Sequence, residues 1–253
     1  VEILADFVTL EDLTIKAAKG CYVAAIYIKS DNVIIQGNLI NASGDIWALY
    51  LDSSDGDTIG GNRISGGKGI YVTSSINDVF TNNEITNSTV AGIKFLDSVN
   101  AIIYNNVFSY NLYGIYAQNC TGFNITNNTI RFHQVAGIGF YQGDSSVFSE
   151  NVIEDNGCGI KLEASNCTIS NNSFQDNDMA VLLQGSNNTI FDNTFTGSTI
   201  CAVDASGVWS EGNVIYGNTF LRNREHAKGN GKNQWDNGEI GNYWDDYNDV
   251  DRD

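Results

Sequence analysis

One short pattern recurs along almost the whole chain: an Ile or Phe, two residues, an Asn, one residue, and then another Ile or Phe. It occurs nine times, with a mean spacing of 22.5 residues between the Asn positions. A period of this length without a helical pattern is typical of a solenoid, in which each repeat packs only on its neighbours. The copies are Ile35-Asn38-Ile40, Ile59-Asn62-Ile64, Phe80-Asn83-Ile85, Ile103-Asn106-Phe108, Ile125-Asn128-Ile130, Phe148-Asn151-Ile153, Ile169-Asn172-Phe174, Ile190-Asn193-Phe195 and Ile215-Asn218-Phe220.

A second apolar segment recurs in phase with the first, as in Ala25-Ile26-Tyr27-Ile28 and Gly114-Ile115-Tyr116-Ala117. Alternation with a period of two places Ile26 and Ile28 on one face of a strand and Tyr27 on the other. Each period therefore holds three short strands. We predict an all-β fold, a right-handed single-stranded parallel β-helix of about ten coils of about 22 residues.

The predicted domain plan has two parts. Residues 1–225 form the β-helix coils, and residues 226–253, where the period breaks, form a C-terminal capping segment. A solenoid needs its last coil covered, because an open end exposes the core and unpaired strand edges. We expect Trp235 and Trp244 to anchor this cap. Val1 begins in strand-like sequence without an initiating Met, so we also expect the chain to be a fragment or a processed form.

The recurrent Asn has a structural explanation. Asn tolerates left-handed backbone at a tight turn, and stacked Asn side chains hydrogen-bond from coil to coil. We therefore expect a structural ladder along the β-helix rather than a row of ligand contacts. Its nine rungs are Asn38, Asn62, Asn83, Asn106, Asn128, Asn151, Asn172, Asn193 and Asn218.

The charge of the chain restricts its partners. Its 13 Lys and Arg against 30 Asp and Glu give a formal net charge of −17, whereas nucleic acid and anionic membrane surfaces demand basic residues. No stretch approaches the ~18 apolar residues of a membrane span. We therefore expect no nucleic acid and no direct membrane span, and we expect copies of the chain, neighbouring envelope proteins or polysaccharide as partners.

The nine Asn copies, the Gly-Ile-Tyr strands and the closing Gly241-Asn242-Tyr243-Trp244-Asp245-Asp246-Tyr247 resemble the NosD-like, or carbohydrate-binding and sugar-hydrolase, β-helix family. The resemblance covers nearly the whole chain and implies a secreted, cell-surface or periplasmic protein. Family members include an accessory protein of nitrous oxide reductase maturation, polysaccharide-active enzymes, and surface-layer or adhesin-like proteins. A copper site prefers imidazole or soft sulfur ligands, yet the chain has one Met and two His, His133 and His226.

The outward side of the second strand presents a column of aromatic residues interrupted by Lys94. Exposed tyrosines stack on sugar rings through their flat apolar faces, and the alternative is a cross-strand aromatic ladder that stabilises the sheet. The candidate glycan-binding residues are Tyr27, Tyr50, Tyr71 and Tyr116.

Two acidic segments are candidates for calcium. Asp249, Asp251 and Asp253 match the first half of a calcium loop, in which alternating Asp side chains supply oxygen ligands. Asp52, Asp55 and Asp57 form a second acidic turn, for which a solvated Asp-Gly loop is the alternative. Calcium is the one cofactor that we expect from the sequence.

The cysteines are predicted to be free. Cys158 and Cys201 fall in one column with Met179 between them, which separates the thiols by ~10 Å, beyond the ~7 Å limit for a disulfide. Cys21, near the N-terminal end, is a candidate for a bridge between subunits.

These observations favour a non-catalytic cell-surface or extracellular structural protein that self-associates, binds glycan, or does both. The first alternative is a polysaccharide lyase or hydrolase. A lyase needs a basic residue and a hydrolase a pair of carboxylates, but Lys94 and Lys161 are three coils apart, ~15 Å, and the acids are scattered around the coil. The second alternative is a periplasmic accessory protein of metalloenzyme maturation.

Overall fold

Short strands of two to nine residues alternate with tight turns along the chain. The computed structural model describes residues 1–17 and 23–246, and these residues contain no helix. Each strand pairs in parallel with the strands one coil before and after it. The fold is the predicted right-handed parallel β-helix of about ten turns.

Three sheets run the length of the described solenoid, with 11, 10 and 11 strands. Sheet A contains Glu2–Ile3, Ala24–Ile28, Trp47–Asp52, Ile70–Thr73, Ala91–Leu96, Tyr113–Gln118, Ala136–Asp144, Cys158–Ser165, Met179–Leu183, Cys201–Ala205 and Ala227–Gly229. Sheet B contains Thr9–Glu11, Ile34–Gln36, Thr58–Gly60, Val79–Thr81, Ile102–Tyr104, Asn124–Thr126, Val147–Ser149, Thr168–Ser170, Thr189–Phe191 and Val214–Tyr216. Sheet C contains Thr14–Ala17, Leu39–Ala42, Arg63–Gly66, Glu84–Thr86, Val107–Ser109, Thr129–Arg131, Val152–Glu154, Ser173–Gln175, Thr194–Thr196, Thr219–Leu221 and Tyr243–Trp244.

The core consists of columns of like side chains stacked from coil to coil. The central residue of each sheet C strand points inward, because the strand alternates with a period of two. In the last coils these residues are aromatic: the ring of Phe195 lies 4.8 Å from Phe174 and 4.9 Å from Phe220. Trp244 continues the same column at 4.3 Å from Phe220. Dispersion forces and the burial of apolar surface in these columns stabilise each coil through its contacts with the neighbouring coils.

The ladder Asn side chains are buried at the turn between sheets B and C. Asn128 is representative: its Oδ1 accepts the backbone N–H and the side-chain Nδ2–H of Asn106, at 2.9 and 3.1 Å. Its own Nδ2 donates to the Oδ1 of Asn151 at 3.0 Å and to the carbonyl of Ile103 at 2.8 Å. The same contacts link all nine predicted rungs, and Asn242 adds a tenth.

One part of the prediction for the ladder was wrong. The left-handed residue at this turn is the one that precedes each rung, such as Asn105 (φ 55°) or Gly61 (φ 62°), whereas the rung Asn has ordinary backbone. These two roles fall to neighbouring residues for a physical reason. The left-handed residue turns the chain, so the side chain of the next residue, the rung Asn, points inward. Its amide then forms hydrogen bonds with buried backbone groups, which would otherwise be unpaired at a cost in free energy.

The segment after residue 225 follows the path of the preceding coils. Ala227–Gly229 pairs with Cys201–Ala205 in sheet A, and Tyr243–Trp244 pairs with Thr219–Leu221 in sheet C. Trp235 and Trp244 are partly buried against the core. Their role as a cap stays a prediction. No helix in the described part of the chain is long and apolar enough to cross a membrane.

Four cysteines lie in the described residues, and all four, Cys120, Cys158, Cys167 and Cys201, are free and buried. Met179 pairs in register with Cys158 on one side and with Cys201 on the other, as the period predicts. Cys21, the candidate for a bridge between subunits, lies outside the described residues.

Candidate functional site

The outer face of sheet A carries the predicted aromatic column. Tyr27 pairs with Tyr50, Tyr50 with Tyr71, Tyr71 with Lys94 and Lys94 with Tyr116. The column then continues through Gly139 to Lys161. Parallel strands lie ~4.8 Å apart, so six steps from Tyr27 to Lys161 extend over about 29 Å. The structure therefore brings the four candidate tyrosines onto one face.

The N-terminal half of the column is a continuous aromatic surface. The ring of Tyr71 stacks on Tyr50 and on Trp47, with both pairs of ring centres 4.9 Å apart. Tyr27 meets Tyr50 edge to face, with ring centres 5.3 Å apart. Its hydroxyl donates a hydrogen bond to the carboxylate of Asp52 at 2.5 Å. Trp47 opens its strand three residues before Tyr50, and the sequence analysis missed it because it lies outside the column.

Lys94 lies between two rings of the column. Its Nζ is 5.5 Å from the ring centre of Tyr71 and 5.5 Å from that of Tyr116. Other lysines on or beside sheet A pair with carboxylates: Lys68 with Asp45 at 2.8 Å, and Lys161 with Glu163 at 3.1 Å. Within the described residues, Lys94 makes no ion pair, so its ammonium protons are free to donate to a ligand.

Gly139 divides the column and makes room for two more rings. A Cβ atom at this position would lie 2.8 Å from the ring of Tyr141 and 3.1 Å from the ring of Tyr113. The Tyr116 ring meets Tyr113 edge to face, with ring centres 5.2 Å apart, and is tilted against Tyr141, with ring centres 5.1 Å apart. The Nζ of Lys161 lies 5.3 Å from the centre of the Tyr141 ring. The aromatic face therefore continues past the glycine through residues outside the column.

Four phenols of this face, those of Tyr27, Tyr50, Tyr116 and Tyr141, have a raised pKa. The hydrogen bond to Asp52, together with burial, raises the pKa of Tyr27 to about 12. Burial raises the pKa of Tyr50 and Tyr116 above the ordinary value, and burial with the neighbouring Tyr113 hydroxyl raises that of Tyr141. Protonated phenols donate and accept hydrogen bonds but are poor general bases.

The structure does not bring Asp52, Asp55 and Asp57 together. Asp52 accepts from Tyr27, and Asp55 accepts the backbone N–H of Ile76 at 2.8 Å. Asp57 is fully buried and accepts the N–H of Val33 at 2.8 Å. The three carboxylates thus serve three different neighbours, because alternate residues in a turn point in different directions. Asp249, Asp251 and Asp253 lie outside the described residues.

Asp57 and Asp78 belong to a second ladder of stacked side chains, at the turn between sheets A and B. We call such a ladder at a turn between two sheets a corner ladder. Asp78 accepts the N–H of Asp57 at 3.0 Å, and its Oδ2 is buried without a partner. Burial raises the pKa of Asp57 to about 6 and that of Asp78 to about 8. Asn188 and Asn213 hold the same position in later coils. Both aspartates therefore accept backbone hydrogen bonds within this ladder.

One cluster in the described residues places three metal-type ligands within reach of one another, and the sequence analysis missed it. The Nε2 of His226 lies 3.0 Å from Asp245 and 3.1 Å from Asp246. Its Nδ1 faces the Nδ2 of Asn223 at 3.1 Å. The Asn223 amide is oriented by accepting from Ser198, so Nδ1 accepts and Nε2 carries the proton. In this arrangement Nε2 hydrogen-bonds to the carboxylates of Asp245 and Asp246.

The sequence profile of a family described as periplasmic copper-binding protein (NosD) matches residues 8–187 and 162–249. The chain belongs to the NosD family. None of the curated proteins matches it.

Solved structures share the fold of this NosD-family chain. DFA-IIIase from Arthrobacter chlorophenolicus A6, in complex with DFA-III, has a TM-score of 0.67 at 14% identity, with 85% of this chain and 62% of that chain covered. The mannuronan C-5 epimerase AlgE6 A-module of Azotobacter vinelandii has a TM-score of 0.67 at 13% identity, with 95% and 84% covered. The Dettilon tailspike protein has a TM-score of 0.66 at 15% identity, with 86% and 54% covered. At these identities the likeness shows the fold alone.

The description of the NosD family names copper, but Cys158, Cys201 and His133 do not fit a copper centre. Cys158 and Cys201 are separated by two strand spacings, about 10 Å, so one ion cannot bind both thiols. Burial raises the pKa of Cys158 to about 12 and that of Cys201 to about 11, which keeps the thiols protonated. His133 is buried, and its Nδ1 accepts the N–H of Asn111 at 3.1 Å as a rung of a third corner ladder.

Proposed function

We propose that this protein is a non-catalytic module outside the cytoplasm that binds neutral polysaccharide along the outer face of sheet A. The observation that carries the proposal is the row of half-exposed rings that runs with Lys94 from Tyr27 to Tyr141. A row of this length matches a linear polymer better than it matches a small ligand held in an enclosed pocket.

The chemistry of the face suits sugar rings. Aromatic faces pack on the C–H faces of a pyranose, while phenol hydroxyls and the ammonium of Lys94 donate to sugar hydroxyls. The rings already stack on one another, so little side-chain entropy is lost when a ligand binds. This rigidity supports a binding function.

The charge favours a neutral polymer over a polyanion. A net charge of −17 repels polyanions, and Lys68 and Lys161 on this face are already neutralised by Asp45 and Glu163. One unpaired ammonium among the described residues of the face is too little for a polyuronate, which carries a charge on every sugar. Hydrogen bonding therefore describes the role of Lys94 better than charge neutralisation does.

The second candidate function is a carbohydrate-active enzyme. It is favoured by the group of Tyr113, Tyr141, Lys161 and Glu163 on this face. A hydrolase needs two carboxylates across the scissile bond, and this group has one, which pairs with Lys161. The raised pKa of Tyr141 makes its phenol a poor base. Binding without turnover is therefore the better-supported function.

The family description and the fold also support a place outside the cytoplasm. The NosD description names a periplasmic protein, and one neighbour in fold is the periplasmic alginate epimerase AlgG, with a TM-score of 0.65 at 12% identity. Self-association stays a prediction.

The test is affinity electrophoresis of the whole chain through gels that contain a neutral polysaccharide, such as a glucan, a mannan or a galactan. A parallel gel contains polygalacturonate, and a reducing-end assay follows each polymer over a day. The proposal expects retardation by at least one neutral polymer, no retardation by polygalacturonate and no new reducing ends. Release of reducing ends would establish the enzyme instead.

A further inference from the structure

A second aromatic surface lies away from sheet A, at the turn that follows sheet C. Tyr110 comes directly after the strand Val107–Ser109, and Phe132 comes at the same position one coil later, after Thr129–Arg131. Their rings stack at 4.9 Å with an angle of 17° between the planes. They are 60% and 37% exposed, respectively.

The backbone at both residues is unfavourable for an aromatic side chain. Tyr110 has φ 57° and Phe132 has φ 60°, a left-handed conformation that bulky residues rarely adopt. Neighbouring coils fill the same position with residues that tolerate it, such as Asn87, Asp155 and Gly197. Two successive coils therefore accept both backbone strain and exposed apolar rings, and such outliers cluster at binding sites.

A cleft of about 450 Å³ adjoins the exposed pair. It is lined by three successive coils: Asn87, Ser88 and Thr89 of the first, Tyr110, Asn111 and Leu112 of the second, and Phe132 and Gln134 of the third. The hydroxyl of Ser88 is buried, whereas Thr89 is exposed, so Thr89 supplies the hydroxyl that a ligand in the cleft can reach.

The lining of the cleft fits an uncharged ligand. Asn87 and Gln134 supply amides at its edges, Leu112 supplies an apolar contact, and no carboxylate or ammonium lines it. Arg131 lies over the Phe132 ring at 5.6 Å and pairs with Glu154, so it is not available to an anion. The cleft therefore offers a ligand two exposed aromatic rings, the hydroxyl of Thr89 and the amides of Asn87 and Gln134.

We propose that this corner cleft, formed by Asn87, Thr89, Tyr110, Leu112, Phe132 and Gln134, binds one neutral sugar ring that packs on the exposed rings of Tyr110 and Phe132 and hydrogen-bonds to the amides of Asn87 and Gln134. The site is separate from the face of sheet A and does not rest on the function proposed for that face.

The test uses the double variant Tyr110→Asn, Phe132→Asn and the single variant Gln134→Ala. Because Asn suits the left-handed position, we expect the double variant to melt at or above the temperature of the natural chain. The probes are maltotriose, cellotriose and mannotriose, and binding is followed by ligand-observed NMR and calorimetry. We expect at least one to bind the natural chain, with about a tenfold or greater loss of affinity in the double variant and a smaller loss in Gln134→Ala.

A matched control is the double variant Phe191→Ala, Tyr216→Ala, which removes a stacked aromatic pair of sheet B, 5.4 Å apart, and should keep the trisaccharide affinity. Absence of trisaccharide binding to the natural chain, or unchanged binding in the Tyr110 and Phe132 variant, would overturn the proposal. A monomer–dimer equilibrium that this variant abolishes would show that a second copy of the chain occupies the cleft instead. Retardation by the long polymer is independent of all these outcomes.

Discussion

Lys94 lies one strand from Tyr116, and its ammonium is 5.5 Å from the centre of the Tyr116 ring. Under the proposed function, the outer face of sheet A combines two properties that the sequence left as alternatives. Stacked neighbours stabilise the sheet, while the half-exposed sides of the same rings stay open to a ligand. A ladder that is already formed presents a rigid binding surface.

Asn128→Ala should strongly destabilise the β-helix. The side chain is 1% exposed, and its loss removes the acceptor of the buried Asn106 backbone N–H and the hydrogen bond to the carbonyl of Ile103. We expect a loss of about 2–4 kcal/mol in the free energy of unfolding, measured by denaturant titration. The exposed Asn124→Ala is the control and should cost less than about 0.5 kcal/mol. Equal effects of the two would contradict the structural role of the ladder.

Asp78→Asn should stabilise the protein at alkaline pH. Burial raises the pKa of Asp78 from 3.8 to about 8, so the folded state holds a proton that the unfolded state releases. Stability from this group is therefore lost as pH rises from about 4 to about 8. An Asn, as at position 188, keeps the acceptor and carries no charge. We expect a gain on the order of 2 kcal/mol at pH 8 that shrinks toward pH 5, and a gain independent of pH would contradict this explanation.

Gly139→Val should weaken polysaccharide binding with little effect on folding. The new side chain would displace the rings of Tyr113 and Tyr141, whose atoms lie within about 3 Å of the added Cβ, and so break the aromatic face at its centre. We expect the neutral polymer gel to retard the variant several-fold more weakly than it retards the natural chain. Gly241→Ala, with no atom within 4 Å of its added Cβ, is the matched control.

Replacement of Cys158 and Cys201 by Ser should leave copper uptake unchanged. The two thiols are about 10 Å apart and remain protonated, so they do not act together as ligands. The measurement is Cu(I) retention against a competing chelator, for the natural chain and the double variant side by side. A loss of bound copper in the variant would show that the column through Met179 rearranges to bind the ion.

Much of the architecture was predictable because one side chain repeats at one position. The Asn spacing predicted the length of a coil, and the second apolar segment, which recurs in phase with it, placed Tyr27, Tyr50, Tyr71 and Tyr116 on one face. The tenth rung, Asn242, was missed because Glu239 and Trp244 occupy the positions where the pattern has Ile or Phe.

Other features depend on geometry that a repeat does not carry. Asp52, Asp55 and Asp57 are adjacent in sequence, yet their carboxylates point to different neighbours. His226 meets Asp245 and Asp246 only because one coil brings them together. The corner cleft depends on two positive φ angles, at Tyr110 and Phe132, and on the small residue one coil before them, and none of these is visible in the apolar pattern.

The most direct test of the central claim compares Tyr50→Ala, Tyr71→Ala with Phe191→Ala, Tyr216→Ala in the neutral polymer that retards the natural chain most. Both variants remove two stacked rings, one pair from sheet A and the other from sheet B. Each lost stacking contact is worth about 1 kcal/mol, so we predict at least about a tenfold rise in Kd for the sheet A variant alone. Equal affinity of the two variants, with both folded, would contradict a binding function for the face of sheet A.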